Sequence, residues 1–113
     1  MEELPEHCVP CRGDSDAMST GTAQAYMQDL PHWTLDFPVL RRRFVLADFR
    51  KALAFTNRVG MLAEEEGHHP DIHITGYKHV ELALTTHAVG GLSVNDFVLA
   101  RKIDALAAKD GLA

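Results

Sequence analysis

The sequence lacks a long hydrophobic run. None of its apolar stretches approaches the roughly 20 residues that a helix needs to cross a bilayer. Residues 1–6 are acidic, whereas a secretory signal peptide begins with basic residues and continues into an apolar segment. We therefore predict a protein without membrane spans and with a cytoplasmic location.

Clustered positive charge is also scarce. The 113 residues include 16 acidic and 11 basic side chains, which gives a net charge of -5. The run Arg41-Arg42-Arg43 is too short to form an electrostatic footprint on a nucleic acid, and we expect it to lie on a solvated strand or loop. With 46% apolar and 24% charged residues, the composition predicts one globular domain and no nucleic-acid partner.

Cysteine is limited to Cys8 and Cys11, in a segment rich in turn-forming residues. A CxxC pair supplies two of the four ligands of a structural zinc site, and His7 is a candidate third ligand. A redox CxxC would instead open a helix after a strand. We therefore favour an incidental or locally stabilising role, and we interpret residues 1–21 as an irregular N-terminal extension of a domain that spans residues 22–113.

Three helices are predicted from the hydrophobic pattern and its flanking signals. Asp48 is a candidate N-cap, Gly67 is the left-handed residue that usually follows a helix, and Ser93 with Asp96 forms a capping box. The predicted helices cover residues 22–30, 49–66 and 94–106. The predicted buried face of the second helix consists of Phe49, Ala52, Leu53, Thr56, Val59, Gly60 and Ala63.

Alternation of apolar and polar residues predicts the strands. Their ranges are 33–37, 39–46, 72–75 and 78–86. The order of elements predicts an α+β fold, a single domain with a four-stranded antiparallel sheet and helices packed on one face. Because the uncovered face and edge of such a sheet favour self-association, we expect a homo-oligomer, either a homodimer or a tetramer.

The candidate site is a cluster of histidines at the end of the second helix. His68 and His69 are followed by Pro70, and His87 follows Thr86 eighteen residues after His68. Histidine accepts and donates protons near neutrality, so two or three imidazoles around one cavity can act as base and acid on a small molecule. Pro70 holds His69 extended. Glu64 lies one turn before His68 and is expected to orient its imidazole.

Each candidate residue also has a structural interpretation. Adjacent histidines after a helix can be polar loop residues, His87 can be a surface residue at a strand end, and Asp96 most simply caps its helix. A metal site formed by His68, His69 and His87 competes with the acid/base hypothesis, but adjacent residues rarely converge on one ion. We predict no metal and no cofactor. Three further histidines, His32, His73 and His79, are expected to lie on the surface.

The motif residues together resemble the signature of the pterin-4a-carbinolamine dehydratases. The resemblance covers residues 30–106, and the chain departs from the family pattern at Asp71-Ile72 and at Ala88. The residues that carry it are Glu64, His68-His69-Pro70, Tyr77, Val80, Thr86-His87, Gly91-Leu92-Ser93 and Asp96.

The resemblance implies a 4a-hydroxytetrahydrobiopterin dehydratase, a metal-free lyase that forms quinonoid dihydropterin and water. Such an enzyme recycles tetrahydrobiopterin in a pathway with an aromatic amino acid hydroxylase. By resemblance His68 and His87 are the acid/base pair, and His69, also part of the catalytic set, mainly binds and orients the pterin. Glu64 and Asp96 orient these side chains. The implied substrate-binding residues are His68, His69, Pro70, Thr86, His87, Ala88 and Val89.

Two other functions stay open at this point. The chain can be a non-catalytic binding module, similar to the family members that act as dimerisation partners and coactivators of a transcription factor. It can also be a binder of another pterin, related to molybdopterin. The intact histidines favour the enzyme.

Overall fold

The computed structural model describes Cys8 and residues 17–112. The helices are α1 (Thr20–Tyr26), α2 (Phe49–Glu66) and α3 (Val94–Lys109). The strands are β1 (Thr34–Asp36), β2 (Val39–Val45), β3 (Asp71–Thr75) and β4 (His79–Leu84). The order of these elements is the predicted one. No helix in this part of the chain is long and apolar enough to cross a membrane.

The four strands form one antiparallel sheet in the order β1-β2-β4-β3, which confirms the predicted α+β fold. The register places Phe44 beside Val80 and Val80 beside Ile74 on the face that packs into the core. Because side chains alternate along a strand, the opposite face carries the exposed Arg43 and His73. The helices supply the rest of the same core from one side of the sheet.

α1 begins two residues before its predicted start. The Ser19 hydroxyl caps it by accepting a hydrogen bond from the Thr22 backbone N–H at 3.2 Å, so Thr20 and Gly21 are helical. The α-helix ends at Tyr26, and the 3-10 turn Met27–Asp29 replaces the rest of the predicted helix. The first helix therefore includes two residues that the sequence pattern assigned to the irregular extension.

Both ends of α2 and the start of α3 are where the sequence placed them, whereas α3 continues to Lys109, beyond its predicted end at residue 106. Asp48 accepts a hydrogen bond from the Lys51 N–H at 2.8 Å, and Gly67 adopts the left-handed conformation with φ of 65°. Ser93 and Asp96 form the predicted capping box at the start of α3. These local signals fix the point at which His68 leaves α2.

The buried face of α2 differs from the predicted one. Phe49 and Leu53 were expected in the core, but they are 50% and 42% exposed. Phe55, which lay outside the predicted face, fills the core instead, with its ring centroid 4.7 Å from that of Phe44. The apolar stripe of α2 is thus wider than the face that packs into the core. Phe55, the large side chain that contacts Phe44, sets the rotation of the helix about its axis.

Arg42 corrects the expectation of a solvated arginine run. Strand alternation places it on the core face of β2, where it is 7% exposed and forms an ion pair with Asp104 of α3. Trp33 donates its indole N–H to the same Asp104 oxygen at 2.7 Å, and the guanidinium lies 4.1 Å from the centroid of the Phe44 ring. Arg41 and Arg43 stay on the outer face. This network joins the sheet to α3.

Candidate active site

His68 is held by a buried carboxylate of α3. The turn at Gly67 directs the imidazole toward Asp96, and Nε2 lies 2.6 Å from Oδ1. The side chain of His68 is 12% exposed, and that of Asp96 is fully buried. Because a carboxylate only accepts hydrogen bonds, Nε2 carries the donated proton. Nδ1 makes no hydrogen bond with any of the described residues.

The second oxygen of Asp96 completes a buried polar network. Oδ2 accepts a hydrogen bond from the Thr86 hydroxyl at 2.7 Å and another from the Ser93 backbone N–H at 3.0 Å. The hydroxyls of Thr86 and Ser93 lie 2.9 Å apart and are also hydrogen-bonded. A buried charge is tolerated when its oxygens are satisfied in this way. Asp96 therefore both caps α3 with Oδ2 and orients His68 with Oδ1.

His69 has a different partner, and this corrects one expectation. Glu64 was expected to orient His68, but its carboxylate accepts a hydrogen bond from Nε2 of His69. The left-handed Gly67 turns His68 toward α3, and the ring of His69 lies beside Glu64 in the last turn of α2. The side chains of His69 and Glu64 are 61% and 71% exposed. This pair is consequently a surface pair.

His87 lies next to the Asp96 network. It is exposed at the start of the 3-10 turn His87–Val89, directly after the buried Thr86 that is bonded to Asp96. Its imidazole makes no hydrogen bond with the residues that the structure describes. His68 and His87 are thus both attached to one buried network, His68 through Asp96 and His87 through its neighbour in the chain.

The other predicted substrate-binding residues include both accessible and buried ones. Ala88 is exposed and Pro70 is half-buried, so both can face a ligand. Thr86 and Val89 are 4% and 2% exposed, and the hydroxyl of Thr86 is engaged by Asp96 and Ser93. These two side chains face the interior. Their direct contact with a substrate stays a prediction.

Glu66 is a residue whose position the sequence analysis missed. Its side chain is 4% exposed, with Oε2 lying 3.2 Å from Lys102 Nζ. Its other carboxylate oxygen accepts a hydrogen bond from the Cys8 backbone N–H at 2.8 Å. A signal was present, because Glu66 follows the buried Val59 and Ala63 at helical spacing. The buried stripe of α2 therefore continues to its last residue.

Cys8 is packed against the domain rather than free in solvent. Its Sγ–H donates to the Asn95 carbonyl at 3.5 Å. Burial, followed by the nearby Glu66 carboxylate, raises the pKa of the thiol to about 12. The thiol is therefore protonated near pH 7, and the nucleophilic thiolate form is scarce. Cys11 and His7 of the candidate zinc site lie outside the described residues.

The other histidines stand apart from the site. His32 and His73 are exposed as predicted, whereas His79 is half-buried. His69 and His73 are four residues apart, but β3 is extended, so the two do not share a helix face. Within the described ranges, no three His, Cys, Asp or Glu side chains are close enough to hold a metal ion.

The candidate histidines lie outside the clefts that run along α2. Two clefts of about 420 and 410 Å³ lie along α2, the first between Met61 and Leu106 and the second between Ala54 and Leu112. Neither is lined by His68, His69 or His87. The candidate site is therefore identified by its hydrogen-bond geometry and not by concavity.

The family model and the similar proteins all point to one family. The family model described as pterin 4 alpha carbinolamine dehydratase matches residues 16–106. A relative from Halorhodospira halophila, named "Putative pterin-4-alpha-carbinolamine dehydratase", is 45% identical over 110 residues, which cover 96% of this chain and 100% of the relative. The mitochondrial pterin-4-alpha-carbinolamine dehydratase 2 of Arabidopsis thaliana is 44% identical over 108 residues, which cover 91% of this chain and 58% of the relative.

A solved structure shows the same fold. The transcriptional coactivator/pterin dehydratase from Brucella melitensis superposes with a TM-score of 0.72 and 27% identity, over 80% of this chain and 98% of that one. The shared family supports a pterin-4a-carbinolamine dehydratase activity. From the match of the family model and the identity to relatives over nearly the whole chain, we conclude that the chain belongs to the pterin 4 alpha carbinolamine dehydratase family.

Proposed function

We propose that this protein dehydrates 4a-hydroxytetrahydropterins, with His68 and His87 as its acid/base pair. The observation that carries the proposal is the His68–Asp96 pair. It combines a largely buried imidazole, a fully buried carboxylate and a ring nitrogen, Nδ1, that is not bonded to the described residues. A catalytic base needs such a fixed ring with one open nitrogen.

The reaction itself sets the requirement for two groups. The bond between carbon 4a and its hydroxyl oxygen breaks, and the departing oxygen takes up a proton to leave as water. The neighbouring ring nitrogen loses its proton, and its electron pair forms the new double bond to carbon 4a. One group must therefore donate a proton and another must accept one. No electrons are exchanged with a second reactant, so we propose no cofactor.

His68 is better suited to accept the proton from the ring nitrogen. Uptake at Nδ1 converts the ring to an imidazolium, and the Asp96 carboxylate stabilises this cation through the hydrogen bond at Nε2. His87 then donates to the leaving oxygen. Its exposed position lets it recover a proton from solvent after each turnover.

His69 is proposed to bind and orient the pterin. Its ring is exposed, and among the described residues it is hydrogen-bonded only to the exposed Glu64, so it can adjust to a ligand at little cost. The half-buried Pro70 and the exposed Ala88 complete the proposed contacts. The proposed physiological role is tetrahydrobiopterin recycling beside an aromatic amino acid hydroxylase. A homodimer or tetramer in the cytoplasm also belongs to the proposal.

A second candidate function is a binding module. The Brucella melitensis relative is titled both a coactivator and a dehydratase. On this chain, α2 exposes Phe49, Leu53 and Met61, which are 50%, 42% and 68% accessible. Exposed apolar side chains on one helix are typical of a protein-protein contact surface. This surface is compatible with catalysis at the other end of α2.

A stopped-flow assay tests the proposed activity. A 4a-hydroxytetrahydropterin is generated in the instrument, and its decay is followed with and without the wild-type protein. We expect catalytic amounts of the protein to accelerate the decay, and we expect the His87→Ala variant, altered at an exposed position, to be folded and much slower. A folded wild-type protein that leaves the spontaneous rate unchanged would leave the binding module as the better hypothesis.

A further inference from the structure

Glu66 is an acidic side chain in an unfavourable position. It lies in the last turn of α2, where the helix dipole disfavours negative charge. Its side chain is only 4% exposed, so its charge is also poorly hydrated. A buried carboxylate is stable only when its oxygens are paired or hydrogen-bonded. Lys102 and the backbone N–H of Cys8 meet this need, one at each oxygen.

The Glu66–Lys102 pair joins the same two helices as the His68–Asp96 pair. Glu66 precedes His68 by two residues at the end of α2, and Lys102 follows Asp96 on α3. Two side-chain links between α2 and α3 therefore flank the left-handed turn at Gly67. A change in helix spacing that lengthened the first link would move the His68 ring relative to Asp96.

Cys8 contacts both α2 and α3. Its backbone N–H binds Glu66 at the end of α2, and its thiol donates to the carbonyl of Asn95, the residue before Asp96. The thiol is neutral near pH 7, so it adds no charge between the Glu66 and Asp96 carboxylates. Cys8 thus contacts both helices within two residues of His68 and Asp96.

We propose that Glu66, Lys102 and Cys8 form a positioning cluster, named the Glu66 clamp, that fixes the spacing of α2 and α3 and so holds the His68 ring on Asp96. Glu66 and Lys102 are positioning residues and do not touch the substrate. The kinetic part of this inference rests on the proposed function. The geometric part does not, because the state of the His68 ring is measurable without substrate.

Nitrogen-15 NMR of histidine-labelled protein tests the geometric part. In the wild type we expect His68 to be held as the Nε2–H tautomer, with its proton protected from exchange by Asp96. In Lys102→Met and Glu66→Gln we expect mixed tautomers and faster exchange of that proton. Lys102→Arg keeps the charge and should restore the wild-type spectrum. Lys102→Met decides the matter if Glu66→Gln does not fold.

Steady-state kinetics of the same variants test the kinetic part. A small displacement of a reacting group lowers the rate of the chemical step, so we expect kcat to fall about tenfold while KM changes less than about twofold. Lys102→Arg should retain the wild-type kcat. If the wild type shows no dehydratase activity while the NMR changes occur as expected, the Glu66 clamp stands and the proposed function is wrong.

Arg58→Met is the matched control. Arg58 of α2 forms an ion pair with Asp110, which ends α3, so this pair joins the same helices at a distance from His68. We expect its loss to leave the His68 spectrum and kcat unchanged. The proposal is overturned if Lys102→Met and Glu66→Gln keep the wild-type His68 tautomer, or if Arg58→Met alters it to the same degree, because the effect would then be general loosening of the helices.

Discussion

His68 and His69 are adjacent in the sequence but lie in opposite environments. The side chain of His68 is 12% exposed and that of its partner Asp96 is fully buried, whereas His69 and its partner Glu64 are 61% and 71% exposed. A polar pair exposed at the surface contributes about 0–1 kcal/mol to stability, whereas leaving a buried hydrogen-bonding group without its partner costs about 1–3 kcal/mol. The same residue type therefore contributes differently to stability at the two positions, because its surroundings differ.

The difference also separates two kinds of chemical task. A ring fixed against a buried carboxylate has one nitrogen committed and the other available, which suits proton transfer. A ring on the surface can rotate to meet a ligand, which suits binding. Gly67 separates the two histidine rings, because its left-handed turn sends His68 toward α3 and leaves His69 beside Glu64.

The largest expected effect comes from removing the proposed acid/base pair. His68→Ala and His87→Ala should each lower kcat by roughly 10²- to 10⁴-fold, the usual contribution of one general acid or base. The spontaneous dehydration of the substrate sets a floor below which the observed rate cannot fall. The stopped-flow assay provides the measurement, and His73→Ala, altered at an exposed strand position, is the control. Full activity in both variants would show that these imidazoles do not move the protons.

A smaller effect is expected when the carboxylates are changed instead of the imidazoles. Asp96→Asn weakens or breaks the buried hydrogen bonds that the carboxylate accepts, so we expect a loss of about 1–3 kcal/mol in the free energy of unfolding. Glu64→Gln should change it by less than about 1 kcal/mol, because that pair is exposed. Urea unfolding of the two variants gives the comparison. Equal losses would contradict the distinction between a buried and an exposed pair.

The smallest expected effect concerns the Cys8 thiol. Its pKa is raised to about 12 from the ordinary 9.0, so the thiolate that reacts with alkylating reagents is scarce in the folded protein. In a Cys11→Ser background, iodoacetamide should modify folded Cys8 at pH 8 at least about a hundredfold more slowly than urea-unfolded Cys8. Equal rates would place the thiol in open solvent and contradict its packing against Asn95.

The same pKa shift predicts a pH dependence of stability. The folded protein keeps the thiol proton at pH values where the unfolded chain has lost it, so the stabilising contribution is present below pH 9.0 and is lost as the pH rises toward about 12. Unfolding of the Cys11→Ser protein, compared with a Cys8→Ala/Cys11→Ser protein across this window, measures it. A constant difference between the two proteins over the whole window would show that the thiol does not titrate differently on folding.

The element order and the helix ends were predictable because their signals are local. Asp48 and Ser93 cap helices through backbone N–H groups two or three residues away, and Gly67 ends α2 through its own conformation. Such interactions lie within a short stretch of sequence. The N-terminal boundary was missed by two residues because Ser19, which caps α1, lies among the turn-forming residues of the segment before it.

The partner of each histidine was not predictable in this way. Glu64 has the helical spacing expected of a partner for His68, and only the turn at Gly67 redirects the ring to Asp96, 28 residues away. The burial of Glu66 was not predicted, although its place on the buried stripe of α2 is visible in the sequence. A buried charge depends on a partner from another element, here Lys102, and sequence spacing does not reveal that partner.

The kinetic comparison of His68→Ala with His69→Ala tests the central claim most directly. Both kcat and KM for the 4a-hydroxytetrahydropterin are measured for the two variants and the wild type under one set of conditions. We predict that His68→Ala lowers kcat with little change in KM, because it removes a group that acts in the transition state, and that His69→Ala raises KM more than it lowers kcat. The same split between kcat and KM in both variants, or the reverse assignment, would contradict the claim that the buried histidine transfers the proton and the exposed one holds the substrate.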